Sequence, residues 1–129
     1  MPSVIAVQGI MYYNNTMKNV NDSNKRLIQI KKGTLEFCVM ALLIAEPRYG
    51  YDIMALMAEK GLSASQGTIY PLLGRLEREG KVEAQWKQQG ATKPRKYYYL
   101  TEEGKEALSA FKESWLSYSA AVNRILWKG

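Results

Sequence analysis

The sequence predicts a mainly α-helical fold with a small β-hairpin (α+β), and three patterns along the chain support this. Between residues 66 and 78, apolar residues recur at i, i+3, i+4 and i+7 (Ile69, Leu72, Leu73, Leu76), which is typical of an amphipathic helix with one buried face. After Gly80 the period falls to two, as expected for strands. Beyond Thr101 the helical period returns and continues almost to the end of the chain.

Length and composition restrict both the size of the fold and its chemistry. The chain has 129 residues, which suits one compact core. It carries 18 Lys and Arg against 12 Asp and Glu, and the formal charge of +6 favours polyanionic partners. Because histidine is absent and Cys38 is the single cysteine, one chain cannot form a Cys/His zinc site, a Ser-His-Asp triad or a disulfide. We therefore expect no metal, no cofactor and no enzymatic activity.

The sequence also predicts where the protein resides. No apolar run approaches the roughly 18 residues that a membrane helix requires. The first residues lack the basic segment of a secretory signal. We expect a cytoplasmic protein that has no membrane partner.

The first 24 residues differ from the remainder of the chain. They contain one cation, Lys18, and are rich in asparagine, which predicts a poorly ordered N-terminal extension, residues 1–24. The remainder of the chain divides between Leu100 and Thr101 into residues 25–100 and residues 101–129.

Two helices are predicted between residue 33 and residue 61. Gly33 and Thr34 offer a cap for a helix that runs to Ala45 and is apolar nearly all round, which indicates burial by its own domain and by a second subunit. A second helix is predicted from Tyr51 to Lys60, closed by Gly61. Its buried side is expected to consist of Ile53, Leu56 and Met57.

A third helix, from the N-cap Ser65 to Gly80, has an outer face that is small where it is not basic. That composition allows close approach to DNA, cationic contacts to phosphates and polar contacts to base edges. An ordinary solvated helix face is the alternative for this pattern taken alone. Two helices joined by a tight turn form a helix-turn-helix, in which the second helix reads the DNA.

A cationic hairpin follows directly, with strands from Val82 to Lys87 and from Arg95 to Leu100. Helix-turn-helix followed by a basic hairpin is the order of a winged helix-turn-helix, and it favours binding to double-stranded DNA. The predicted DNA-binding residues come from the third helix and the wing: Gln66, Gly67, Thr68, Tyr70, Arg75, Arg78, Lys87, Lys93, Arg95 and Lys96.

The last helix is predicted from Glu102 to about Leu126, capped by Thr101. Its apolar residues are spaced alternately three and four apart, which favours pairing with the same helix of another subunit in a homodimer. The alternative is that this seam folds back on its own domain. The seam comprises Leu108, Phe111, Trp115, Tyr118, Val122 and Ile125.

Several blocks resemble the PadR family of bacterial transcriptional regulators. They are Lys32 to Leu35 (KGTL), Tyr49 to Ile53 (YGYDI), Gly67 to Glu77 (GTIYPLLGRLE), Arg95 to Thr101 (RKYYYLT) and Gly104. The resemblance spans about Lys25 to Leu126. The single C-terminal helix is similar to the compact, LmrR-like subfamily.

This resemblance implies a winged helix-turn-helix dimer that represses promoters and is released by a small hydrophobic or aromatic effector. Phe111 and Trp115 match the subfamily pattern that places an indole at the dimer interface, so Phe111, Trp115, Tyr118 and Val122 are candidates for effector binding or for seam packing. The alternative function is sequence-tolerant, architectural binding of nucleic acid.

Overall fold

The computed structural model describes residues 25–88 and 90–128, and the chain divides into two compact units, residues 1–35 and residues 36–129. The predicted N-terminal extension, residues 1–24, lies outside the described residues. In the first unit, residues 25–32 form helix α1. The Thr34 hydroxyl donates hydrogen bonds to the carbonyls of Ile30 (3.3 Å) and Lys31 (3.4 Å). These carbonyls belong to the last turn of α1, where no helical N–H follows to pair with them.

Helix α2, Leu35–Leu42, ends three residues before the predicted Ala45. The carbonyl of Leu42 accepts a 2.7 Å hydrogen bond from Nε of Arg48, which takes the place of the next helical N–H. Leu43 N–H bonds back to the Met40 carbonyl at 3.0 Å, an i to i−3 bond that tightens the last turn. In the single chain, Val39 and Met40 are buried, Phe37 and Leu42 are half-buried, and Ile44 beyond the helix is exposed; burial of the remaining face by a second subunit stays a prediction.

A two-residue strand, β1 (Arg48–Tyr49), was not predicted. It pairs antiparallel with the later strand β3, with Arg48 opposite Tyr98 and Tyr49 opposite Tyr97. Two residues are too few to show the alternation of a strand, and Pro47 indicates only the end of the preceding helix. β1 adds a third strand to the sheet next to the hairpin, in the order β1-β3-β2.

Helices α3 (Gly50–Glu59) and α4 (Gln66–Arg78) end in the same way. Gly61 has φ +88°, and Leu62 N–H bonds to the Met57 carbonyl at 2.8 Å. Gly80 has φ +77°, and the N–H of the following lysine bonds to the Leu76 carbonyl at 2.9 Å. Both are Schellman motifs, in which glycine adopts the left-handed conformation without a Cβ penalty. The predicted roles of these two glycines are confirmed.

The hairpin strands β2 (Val82–Lys87) and β3 (Arg95–Leu100) have the predicted bounds. Their register runs from Val82 opposite Leu100 to Lys87 opposite Arg95. The predicted α+β fold class is confirmed by these helices and the small antiparallel sheet.

Helix α5 (Glu102–Lys128) begins directly after Thr101, as predicted. The Thr101 hydroxyl accepts a 3.0 Å hydrogen bond from Gly104 N–H and donates to the Gly80 carbonyl at 2.7 Å. A side chain at Gly104 would clash with the Lys81 carbonyl. The start of α5 is therefore fixed to the residues that link α4 to β2, close to the hairpin.

The core of the second unit lies between α2, α3, α4, the sheet and the first turns of α5. Leu56 and Leu72, predicted to be buried, are only half-buried because they lie at the edges of their apolar faces. The buried apolar residues of this unit include Val39, Met40, Leu43, Ile53, Met57, Ile69, Leu73, Leu76, Val82, Tyr98, Leu100 and Leu108. Within residues 25–88 and 90–128, none of the helices is long and apolar enough to cross a membrane.

Candidate nucleic-acid interface

Helix α4 exposes the start of its outer face. Gln66, Gly67 and Thr68 are exposed in the first turn, which contains no acidic residue. Ser65 occupies the N-cap position with extended backbone, as predicted. The predicted capping bond is not formed, because the Ser65 hydroxyl accepts no hydrogen bond from a backbone N–H of the described residues of α4. It lies 3.4 Å from the Thr68 hydroxyl instead. Within the part of the chain that the structure describes, no acidic residue of the first turn neutralises the positive end of the helix dipole.

Tyr70 is positioned by a glycine on the preceding helix. A Cβ at Gly50 would lie 2.5 to 2.7 Å from the ring and hydroxyl of Tyr70, so only glycine allows this ring to lie where it does. Gly50 is buried, whereas Tyr70 is 43% exposed. One side of the tyrosine thus packs on α3 and the other remains accessible.

The two arginines of α4 have different surroundings. Arg75 Nη2 lies 2.8 Å from Oε1 of Glu36 on α2, and Arg75 Nη1 lies 3.1 Å from Oε2 of Glu79. Hydrogen bonds to Glu36 and then to Glu79 raise the pKa of Arg75. Arg78, in contrast, is exposed and forms no ion pair with any residue in the described ranges.

Lys81 completes a four-charge cluster at the end of α4. Its Nζ lies 3.2 Å from Glu79 and 3.9 Å from Glu36. Hydrogen bonds from Lys81 and then from Arg75 lower the pKa of Glu79. The cluster ties α2, α4 and the start of β2 together, so Arg75 has a structural role whether or not it also touches DNA.

The cations of the hairpin lie against aromatic rings. Lys87 Nζ is 5.7 Å from the centre of the Tyr97 ring, and the Arg95 guanidinium is 4.5 Å from the centre of the Tyr49 ring. Lys96 Nζ is 5.6 Å from the Tyr98 ring and 3.3 Å from Oε1 of Glu77 on α4. Lys93, the remaining predicted wing cation, is exposed in the loop between the strands. Cation–π contacts of this kind position the charged groups and leave them accessible.

An open groove of about 370 Å³ separates α4 from the hairpin, and it was not predicted. Tyr70 lines it from α4, and Trp86 and Lys96 line it from the hairpin. Tyr49 and Tyr98 also line this groove. Trp86 could have been found from sequence, because it shares the alternating face of Val82 while lying beyond the end of the core.

The candidate residues of α5 begin with an aromatic stack. The Phe37 ring on α2 and the Phe111 ring are parallel within 4°, with centroids 4.0 Å apart. Trp115 follows at 6.1 Å from Phe111 and is 43% exposed. Tyr118 is exposed and Val122 is half-buried. The beginning of the seam therefore packs on its own domain, whereas much of its later part faces solvent.

Comparison with known proteins identifies this arrangement. A family model described as the transcriptional regulator PadR-like family matches residues 39–110, more than half of the chain. The chain belongs to the PadR-like family. The matched region contains α3, α4, the hairpin and the start of α5, so the resemblance predicted from sequence is confirmed.

Solved structures of PadR-like proteins agree with this assignment. A PadR-like transcription factor from Bacteroides fragilis is 39% identical, with 78% of this chain and 98% of that chain covered and a TM-score of 0.67. A PadR family regulator from Eggerthella lenta is 32% identical over 88% and 99% of the two chains, with a TM-score of 0.79. A PadR-like regulator from Bacillus cereus is 38% identical over 77% and 97%, with a TM-score of 0.70. The protein is thus a PadR-like transcriptional regulator with the winged helix-turn-helix fold and a long C-terminal helix.

Proposed function

We propose that this PadR-like regulator is a repressor that binds a palindromic promoter site as a homodimer and is released by a small hydrophobic or aromatic effector. One observation carries the DNA-binding part. Exposed cations line α4 and the adjacent hairpin, where Arg78, Lys93 and Arg95 form no ion pair with any described residue. Such a surface matches the phosphate backbone of DNA.

In this proposal α4, which we call the reading helix, enters the major groove. The first turn of the reading helix approaches the bases closely because Gly67 is exposed and has no side chain. Arg78 contacts a base edge or a phosphate, and the hairpin acts as the wing on the backbone or minor groove. Two reading helices in a dimer would contact half-sites about 10 to 10.5 base pairs apart. The proposed DNA contacts are Gln66, Gly67, Thr68, Tyr70, Arg75, Arg78, Lys87, Lys93, Arg95 and Lys96.

The homodimer is supported by the composition of α5 beyond Phe111. This helix exposes more large apolar side chains than an isolated surface helix of a soluble domain usually carries. Sedimentation equilibrium tests the pairing, with Ile125→Asp expected to shift the protein toward monomer. The exposed large apolar residues of α5 are Trp115, Leu116, Tyr118, Ile125, Leu126 and Trp127. We accordingly propose residues 25–100 as the DNA-binding domain and residues 101–129 as the dimerisation helix.

Effector release is supported by the stack formed by Phe37, Phe111 and Trp115. An accessible indole at the end of two parallel rings offers a flat apolar surface to a planar ligand. A ligand that favours one arrangement of the α5 helices would change the spacing of the reading helices. Tryptophan emission is titrated with a panel of planar hydrophobic compounds. A response that Trp115→Phe abolishes and Trp127→Phe retains would support this site, and no response to the whole panel would refute it.

The experiment that tests DNA reading is selection of fragments from the genome that encodes the protein. Purified protein is incubated with sheared genomic DNA, and the bound fragments are sequenced. We expect enrichment of a palindromic motif near a promoter, including the region upstream of the protein's own gene. Uniform recovery of the genome would instead identify a sequence-tolerant architectural protein.

A further inference from the structure

We propose that the groove between the reading helix and the hairpin binds one sugar-phosphate unit of the DNA backbone, with Trp86 against the sugar and Lys96 at the phosphate. This inference rests on the proposed function and deepens it. It assigns a role to Trp86, which lies outside the predicted contacts.

The exposure of Trp86 is the first observation. Val82, Ala84 and Trp86 share one side of β2, and Val82 at the beginning of that side is buried. Trp86 at its end is 68% exposed, although it lines the groove together with Tyr70. The apolar side of the hairpin therefore continues past the core and ends in water. A partner that covers this indole removes apolar surface from solvent.

The second observation is the state of Lys96. Its Nζ lies beside the Tyr98 ring and 3.3 Å from the carboxylate of Glu77, which belongs to the reading helix. The ion pair holds the ammonium group at the groove without burying it. An entering phosphate takes the place of the Glu77 carboxylate as the partner of Lys96. The Arg95 guanidinium, stacked on Tyr49, lies on the other face of the sheet, so Lys96 is the cation that the hairpin directs into the groove.

The position of the groove indicates that its occupant is the sugar-phosphate backbone of DNA. When the reading helix lies in a major groove and the wing contacts the adjacent minor groove, the strand between the two grooves crosses the surface between helix and wing. Along that strand, anionic phosphates alternate with deoxyriboses that have apolar faces. The Lys96 ammonium beside the rings of Tyr70 and Trp86 matches this alternation. Contacts of this type position the protein and are independent of base sequence.

Binding measurements on the full chain test the assignment. The probes are two labelled duplexes of about 30 base pairs, roughly three helical turns, with equal composition and different base order. We expect Trp86→Ala to weaken binding to both duplexes by the same factor, about five- to tenfold, as for loss of one partly covered indole. The salt slope should not change, because no cation is removed.

The matched control is Gln85→Ala, which changes an exposed residue of the same strand on the opposite side of the hairpin. It should bind like wild type. Lys96→Ala should reduce the salt slope by about 1. Glu77→Gln should strengthen binding at low salt, because Lys96 then has no competing carboxylate.

Tryptophan emission provides an independent readout that does not depend on alanine variants. Adding duplex to the wild-type protein should change its emission, and Trp86→Phe should remove that component while Trp115 and Trp127 remain. If Trp86→Ala binds both duplexes like wild type and the emission change persists in Trp86→Phe, the groove assignment is wrong although DNA binding stands. If Trp86→Ala weakens binding to one duplex only, Trp86 contacts a base, and the backbone assignment is overturned. If the wild-type protein binds neither duplex, the proposed function itself fails.

Discussion

Arg75 on the reading helix and Glu36 on α2 form an ion pair with 2.8 Å between Nη2 and Oε1. Glu36 is the more buried partner, with its side chain 16% exposed, and it also lies 3.9 Å from Lys81. The next residue along α2, Phe37, stacks on Phe111 of α5. Two adjacent residues of one short helix therefore contact the proposed DNA-reading element and the proposed dimerisation element.

Glu36→Gln should lower the free energy of unfolding by about 1 kcal/mol, since a charge-assisted hydrogen bond is weakened at a half-buried site where solvent still screens part of the interaction. Chemical denaturation monitored by circular dichroism measures the change. The control is Glu46→Gln, which removes a longer and more exposed pair with Arg48, at 3.4 Å. An equal loss of unfolding free energy in both variants would show that the Glu36–Arg75 pair stabilises the fold no more than the exposed Glu46–Arg48 pair does.

Thr101→Val should destabilise the protein by about 1 to 2 kcal/mol, because it removes the cap of α5 and the hydrogen bond to the Gly80 carbonyl. Thr101→Ser keeps the hydroxyl and should retain most of the stability. Thermal unfolding of the three proteins gives the comparison. Equal destabilisation by valine and serine would mean that the methyl group of Thr101 contributes as much stability as its hydroxyl, and it would contradict a dominant capping role.

Gly67→Ala should have opposite effects on folding and on DNA binding. Among the described residues, a Cβ there would meet the Ser65 hydroxyl alone, at an ordinary 3.7 Å, so stability should remain unchanged or rise by up to about 1 kcal/mol through helix propensity. Affinity for an operator should fall, because the added methyl group separates the reading helix from the bases. Unchanged affinity would remove Gly67 from the proposed contact surface.

Stability should fall at alkaline pH partly because of Tyr98. Burial, which outweighs the nearby charge of Lys96, raises the pKa of Tyr98 above its ordinary value of 10.0. The folded state thus holds the phenolic proton more tightly than the unfolded state does. This contribution is fully present below about pH 10 and is lost as the pH rises through the folded-state pKa.

Denaturation midpoints between pH 8 and pH 11 or so check this dependence. Tyr98→Phe should show a shallower alkaline decline than wild type. The exposed Tyr51→Phe is the control and should follow the wild-type curve. Parallel declines in all three proteins would assign the alkaline sensitivity to other groups.

Local patterns predicted much of the fold. The hairpin bounds, the closing roles of Gly61 and Gly80 and the capping role of Thr101 depend on a few neighbouring residues, and all are confirmed. The early end of α2 depends on Arg48, six residues farther along, and β1 depends on a partner strand almost 50 residues away. Neither interaction leaves a periodic signal in the sequence.

The candidate site was predictable in its elements but not in the pairing of its charges. Spacing placed Arg75 and Arg78 on the same outer face of α4. The structure distinguishes them because Glu36, distant in sequence, comes to lie beside Arg75 only after α2 packs on α4. The groove at Trp86 likewise requires α4 and the hairpin to be brought together, and no single segment encodes it.

The most direct test of the central claim is fluorescence anisotropy with labelled DNA from just upstream of the protein's own gene, compared with a scrambled duplex at two salt concentrations. We predict tighter binding to the native fragment at both concentrations, with the preference retained at the higher one, because base contacts persist when phosphate contacts are screened. Equal affinity for both duplexes, falling steeply with salt for both, would contradict an operator-reading regulator and indicate electrostatic association alone.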